Sequence, residues 1–188
     1  MKYCDICQLD TNNLRLRKVR ADDATLYYLR IGSRPEVTAH MLWEPHRSPA
    51  ESEASIQKAL QRYAEGKCYR WAIALKSDDS IIGIIELLRF NEQESSCSFA
   101  YMLGPEFWGN GYGTEALKAA LDFAFCQMEI QKVEVDHFST NPASGAVMRK
   151  AGMTFHGTEK EKYEKNGRKI DAVCYTLDRR TYLEGRTQ

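Results

Sequence analysis

The run Trp108-Gly109-Asn110-Gly111-Tyr112-Gly113-Thr114 stands between two apolar patterns of different period, and its reading decides the fold. Upstream, residues 97–103 alternate as a strand; downstream, Leu117, Ala120, Leu121, Ala124, Phe125 and Met128 fall on one helical stripe. Glycines at alternate positions let the main chain approach a ligand closely and turn its amides inward. The first amides of the following helix have no intrahelical partner, and the helix dipole adds partial positive charge there. Such a strand–glycine–helix junction makes a pyrophosphate site without a basic side chain. A plain tight turn would need fewer glycines.

The surroundings set that junction in an α+β frame. Residues 14–19 alternate as a first strand, and Asp22 and Asp23 open a short helix to Leu29. Ser48-Pro49-Ala50-Glu51 reads as a capping box with proline at the first helical position, ahead of Ile56, Ala59, Leu60 and Tyr63. Strands over 71–75 and 81–88, joined by a turn at 77–80, form an antiparallel meander with 97–103. A strand over 133–138 completes one βαβ unit, expected to be parallel and right-handed. Asn141-Pro142 starts a helix that Gly152 ends, and a hairpin turns at Lys165-Asn166-Gly167. The fold class is therefore α+β, with a mixed, mostly antiparallel sheet flanked by helices.

Composition narrows the function classes. The 188 residues suit one ordinary domain, and 43% hydrophobic with 28% charged residues is a soluble globular balance. Lys plus Arg (26) equals Asp plus Glu (26), which advertises no polyanionic partner, so nucleic acid is not expected. The longest apolar run, at 81–85, is too short for a membrane, and the N-terminus lacks the apolar core of a secretory signal. A cytoplasmic location is expected. Six cysteines (Cys4, Cys7, Cys68, Cys97, Cys126, Cys174) read as free thiols there, and Cys97 and Cys174 as small buried hydrophobes. Cys4-x-x-Cys7 lacks a second ligand pair, so no metal is expected.

Two rival nucleotide readings fail on pattern. No lysine follows Gly113, as a triphosphate loop requires. A nicotinamide dinucleotide fold would use an acid about 20 residues on, where Glu134 and Asp136 stand, but the spacing is GxGxG and only one βαβ unit exists.

The run 107–116, with Asn141-Pro142-Ala143-Ser144 and Arg149-Lys150-Ala151-Gly152-Met153 downstream, resembles the GNAT N-acetyltransferase superfamily. Within it, the chain is most similar to the RimJ/RimL-type branch that includes ribosomal-protein N-terminal acetyltransferases. The resemblance covers residues 13–183 as one acetyltransferase domain, leaving 1–12 as an N-terminal extension and 184–188 as a tail. It implies acetyl-CoA, with the diphosphate held by residues 109–114 and the pantetheine arm in a gap between the strand ending at Met102-Leu103 and the strand at 133–138. Trp108 stands where many members carry Gln or Arg, though tryptophan is usual in this branch. Asn141 and Ser144 match positions that contact the pantetheine arm.

The same resemblance bears on mechanism. Asp136 matches a position where some relatives carry a basic glutamate, with a strand-end ion pair as its structural alternative. The general-acid tyrosine of many members falls on Met148. Ser144 matches a serine that protonates the thiolate in some relatives, whose glutamate base falls here on Tyr163, beside Glu161 and Glu164. An α-amine of pKa about 7.8 costs roughly 1 kcal/mol to deprotonate at pH 7, against about 4.6 for lysine, so an α-amine acceptor needs only a weak base. Substrate contacts are expected from the loop carrying Trp43, Glu44 and His46 and from the last hairpin, with Glu86 ranked behind Asp136. The first-ranked acceptor is a protein N-terminal amine and the second a polyamine or aminoglycoside; a non-catalytic acyl-CoA sensor is the binding-class alternative. A homodimer is common in such families, but no interface can be read in the sequence.

Overall fold

Alternating apolar side chains pair the strands as the period-two pattern requires. The computed structural model describes residues 1–66 and 68–186. Its strands are β1 (Leu9–Asp10), β2 (Leu14–Lys18), β3 (Tyr69–Leu75), β4 (Ile81–Asn91), β5 (Ser96–Leu103), β6 (Lys132–Phe138), β7 (Thr154–Lys165) and β8 (Arg168–Asp178). They form one sheet in the order β1-β2-β3-β4-β5-β6-β8-β7. Every neighbouring pair is antiparallel except β5 and β6, which are parallel. The mixed, mostly antiparallel α+β sheet expected from the sequence is the one observed.

The helices are α1 (Ala24–Tyr27), α2 (Pro35–Thr38), α3 (Pro49–Ala64), α4 (Tyr112–Asp122), α5 (Pro142–Lys150) and α6 (Arg179–Arg186). They cover the sheet on both faces. On one, Leu117 and Leu121 of α4 and Met148 of α5 are buried with Trp71, Phe99 and Val133. On the other, Tyr27 and Ile56 of α1 and α3 are buried with Ala72 and Ile84. Each face removes a helical stripe from water, the dominant favourable term in folding.

The structure departs from the sequence reading in its short elements. The helix expected over 22–29 is a 3-10 turn, a single α turn and a wider π turn running to Gly32. Ser48 makes no side-chain cap bond; Pro49 presets the first turn, and Glu51 instead accepts from the Arg47 N–H at 3.3 Å. Residues before 13 are packed onto the sheet: β1 pairs with β2, Tyr69 Oη donates to the Cys4 carbonyl at 2.8 Å, and Trp71 Nε1 to that of Cys7 at 2.7 Å. Buried indole and phenol groups need such acceptors, and this segment supplies them. The cysteines are free, and Cys174 is half-buried rather than buried. Among the described residues no helix is long and apolar enough to cross a membrane.

Candidate active site

The site begins where the parallel pair comes apart. β5 and β6 are in register only at Ser96–Lys132 and Cys97–Val133, after which β5 follows β4 and β6 follows β8. The Gly104 N–H donates to the Ile82 carbonyl at 2.9 Å. Antiparallel alternation then turns the main-chain groups of Met102 toward β4 and those of Tyr101 and Leu103 toward the gap. On the opposite strand, Ser139 N–H donates to the Asp171 carbonyl of the next strand. By the same rule, the main-chain groups of Asp136 and Phe138 face the gap. The splayed edges thus offer an extended arm the amides of Tyr101, Leu103, Asp136 and Phe138 and the carbonyls of Tyr101 and Asp136, while the Phe138 carbonyl accepts from the Asn141 N–H at 2.8 Å.

The glycine run closes one end. Trp108 Nε1 donates to the Leu103 carbonyl at 2.8 Å, and Asn110 Nδ2 to the Trp108 carbonyl at 3.1 Å, folding the loop back on the strand. Gly109 and Gly111 have φ of +78° and +81°, and a Cβ at either would meet nothing within 4 Å. Their backbone requires glycine while the space above stays open. Gly111 starts α4 without any side-chain cap, so the amides of Tyr112, Gly113 and Thr114 remain available. Gly113 differs: a Cβ there would lie 3.5 Å from Val147, an ordinary contact.

At the other wall, Asn141 caps α5 by accepting from the Ser144 N–H at 3.3 Å. Ser144 Oγ lies 2.7 Å from Tyr101 Oη, which also donates to the Ser144 carbonyl at 3.1 Å. Burial pushes the Tyr101 phenol well above its usual range, so it stays protonated. Met148, at the position of the family's tyrosine, is buried in the core. A tyrosine therefore reaches this place from β5 instead of α5. The sequence signal was the odd position of Tyr101 in β5, facing the helix side with Leu103.

Asp136, Glu86 and Glu44, acidic residues singled out in the sequence, are all engaged. Asp136 accepts from Tyr163 Oη at 2.6 Å and Lys162 Nζ at 2.8 Å, with Arg89 at 3.3 Å. Desolvation opposes its ionisation, but these donors outweigh it and hold the carboxyl below its usual range. Glu86 pairs with Arg62 at 3.1 Å and Arg70 at 3.2 Å on the α3 face. Glu44 pairs with Lys165 at 3.0 Å, and Lys165 also donates to the Trp43 carbonyl at 3.1 Å. The loop and the last hairpin, expected to share the substrate site, therefore adjoin. His46 is turned inward: its N–H donates to the Gly32 carbonyl at 2.8 Å, and Nδ1 lies 2.7 Å from Ser52 Oγ. Among the described residues no group of three or more His, Cys, Asp or Glu is placed to hold a metal.

A family model described as an acetyltransferase (GNAT) domain matches residues 13–154. The chain belongs to the GNAT acetyltransferase family. It is an acetyl-CoA-dependent N-acetyltransferase. It is 26% identical to the uncharacterized N-acetyltransferase p20 of Bacillus licheniformis, over 93% of this chain and 97% of that one. It is 22% identical to the spermidine N(1)-acetyltransferase of Escherichia coli strain K12, over 92% and 89%. Its fold matches a solved structure of RimL, a ribosomal L7/L12 alpha-N-protein acetyltransferase in complex with coenzyme A. There the TM-score is 0.81 and the identity 18%, over 92% of this chain and 98% of that one. The GNAT match sets aside the dinucleotide reading and accounts for the open glycine loop and the splayed strands together.

Proposed function

We propose that the acceptor is the α-amine of a protein N-terminus. The observation that carries this reading is the neutralisation of the acidic side chains considered for the acceptor: Glu86, Asp136 and Glu44 each already hold a basic partner. A polycation such as a polyamine needs uncompensated carboxylates along its length, whereas a single ammonium does not. The fold likeness to RimL supports the same class, and the similarity to the spermidine enzyme makes a polyamine the second reading. The test is acetylation of short peptides with free or blocked α-amines against spermidine. The α-amine peptides should exceed spermidine in kcat/KM by at least tenfold; a preference for spermidine, or indifference to blocking, would overturn the assignment.

In this reading the amides of residues 109–114 hold the coenzyme diphosphate, and the gap-facing amides of Tyr101, Leu103, Asp136 and Phe138, with the carbonyls of Tyr101 and Asp136, hold its pantetheine arm. Acetyl-CoA supplies an activated thioester carbonyl. The main-chain N–H groups of Tyr101 and Leu103 are the donors available to its oxygen. In this reading the Tyr101–Ser144 hydroxyl pair, 2.7 Å apart, hands a proton to the departing sulfur. Tyr101→Phe and Ser144→Ala are each expected to lower kcat by about 10²-fold, within the range of positioned acid–base groups, with acetyl-CoA affinity unchanged. Steady-state kinetics beside calorimetric titration checks this, and full turnover in both variants would remove the pair from the mechanism.

Asp136 anchors the last hairpin in this reading instead of taking the amine proton. Asp136→Asn should cost about 1.5–3 kcal/mol of stability, the range for hydrogen bonds to a charged group, and leave kcat close to wild type. Its folded pKa is depressed, so its stabilisation is present above the unfolded carboxyl pKa and fades as pH falls through the folded one. The variant should therefore lose less stability than wild type on acidification below about pH 4. A hundredfold fall in kcat at unchanged stability would restore Asp136 as the base.

A further inference from the structure

Residues 33–45 leave and rejoin the fold at one point, where His46 N–H meets the Gly32 carbonyl, and so make an Ω-type loop. Its near side is fixed just past the end of β5, where Arg34 pairs with Glu106 at 2.7 Å. Its far side is fixed to the hairpin tip by Lys165, through Trp43 and Glu44. The loop therefore crosses the mouth between the diverging ends of β5 and β6. His40 sits between these anchors. Its Nδ1 is shielded from water and finds no hydrogen-bond partner among the described residues. The residue whose field reaches it is His137, on β6. His137 in turn lies beside the first turns of α5, where a Cβ on Gly145 would come within 2.6 Å of its Nε2.

An unpartnered buried nitrogen costs free energy unless a ligand supplies the missing bond. We infer that His40 is the general base of the transfer, accepting a proton from the acceptor amine as it enters beneath the loop. The inference rests on the family's acetyl transfer and not on which amine is taken. The acceptor ammonium gives one proton to the imidazole of His40, which passes it to solvent. The nitrogen lone pair forms the bond to the acetyl carbon. The C–S bond breaks with its electron pair on sulfur, and the second nitrogen proton reaches sulfur through the hydroxyls of Ser144 and Tyr101. Charge, atoms and protons then balance: amide, thiol and one released proton.

Geometry and protonation agree. Burial, and secondarily His137, pushes the His40 imidazole below its usual range, so it is neutral and able to accept at pH 7. The charged groups of the same loop and its anchors, Arg34 with Glu36 and Glu106 and Lys165 with Glu44, are mutually paired, which leaves His137 as the titratable neighbour whose field reaches His40.

The test uses His40→Gln and His40→Ala in the full chain, with whichever amine wild type acetylates fastest. Expected are a fall in kcat of about 10²-fold, the size typical of a positioned base, acetyl-CoA affinity within twofold, and partial rescue of His40→Ala by free imidazole. The acid limb of kcat below pH 6.5 should disappear in His40→Gln, while the amine's own ionisation stays in the profile. A kcat within twofold of wild type in both variants, or a loss confined to KM with no imidazole rescue, overturns the inference. A readout independent of any acceptor is the His40 imidazole NMR signal, which should move on saturation with acetyl-CoA. An unmoved signal, even in a protein that acetylates nothing in the amine panel, also overturns it, while a moved signal with no α-amine turnover sinks only the acceptor assignment.

Discussion

Gly111→Val should lower acetyl-CoA affinity by at least tenfold. At φ +81° this residue is the left-handed junction from which α4 starts, and no neighbour lies within 4 Å of a Cβ built there. Steric crowding is therefore not the cause. The cost is conformational: an L-residue in the left-handed region loses roughly 1–2 kcal/mol, and a β-branched one is a genuine outlier there. The chain relieves that strain by rotating the peptide units that aim the amides of Tyr112 to Thr114, and about 1.4 kcal/mol is already tenfold in affinity. Gly113→Ala is the matched control, since its Cβ would make an ordinary 3.5 Å contact with Val147. Calorimetric titration of both variants should show a large loss for the first and little for the second. Equal affinities would detach the loop from the coenzyme.

Arg17→Met should destabilise the fold by about 3–5 kcal/mol, the typical cost of breaking a buried ion pair from one side. Arg17 and Asp23 are 4% and 5% exposed, and the guanidinium donates to both carboxylate oxygens at 2.8 Å. Its Nη2 also donates to the Asp79 carbonyl at 3.0 Å, and Asp23 accepts from the Arg20 N–H at 2.7 Å. Methionine fills similar volume but leaves a buried carboxylate with one main-chain donor. At roughly 2–4 °C per kcal/mol for a chain of this size, thermal unfolding should shift down by about 10 °C or more. Arg17→Met combined with Asp23→Leu should recover much of the loss, because removing both charges removes the desolvation penalty. A single-variant loss below about 1 kcal/mol would show the pair to be solvated.

What could be read from the sequence follows from the range of the interactions involved. The meander, α4 and the final hairpin were legible because their signals are local: alternation, a helical stripe, and Asn166-Gly167 at a two-residue turn where both φ values are positive. The glycine loop was legible for the same reason, since Gly109 and Gly111 answer to their own backbone angles. The parting of β5 and β6 was anticipated only through the family resemblance, because a splay depends on which strands hold the two outer edges.

The polar partnerships were not legible. Asp136 meets Lys162 and Tyr163 across 26 and 27 residues of sequence, and Arg89 across 47. Nothing local names those partners, although the strand-end ion pair weighed as the structural alternative for Asp136 is the arrangement observed. The Tyr101–Ser144 pair joins β5 to α5 across 43 residues, and it supplies from a strand the hydroxyl that the resemblance sought on a helix. No local pattern marks His40, which lies in a loop without period and is enclosed only when that loop is tied at both ends.

The most direct test of the central claim is an amide NMR titration of the protein with acetyl-CoA. Saturating acetyl-CoA should perturb the amides of Gly109, Gly111, Tyr112, Gly113 and Thr114 together with those of Tyr101 and Leu103, and leave the far sheet edge at β1 and β2 unchanged. Binding that perturbs another surface while these amides stay still would contradict the account.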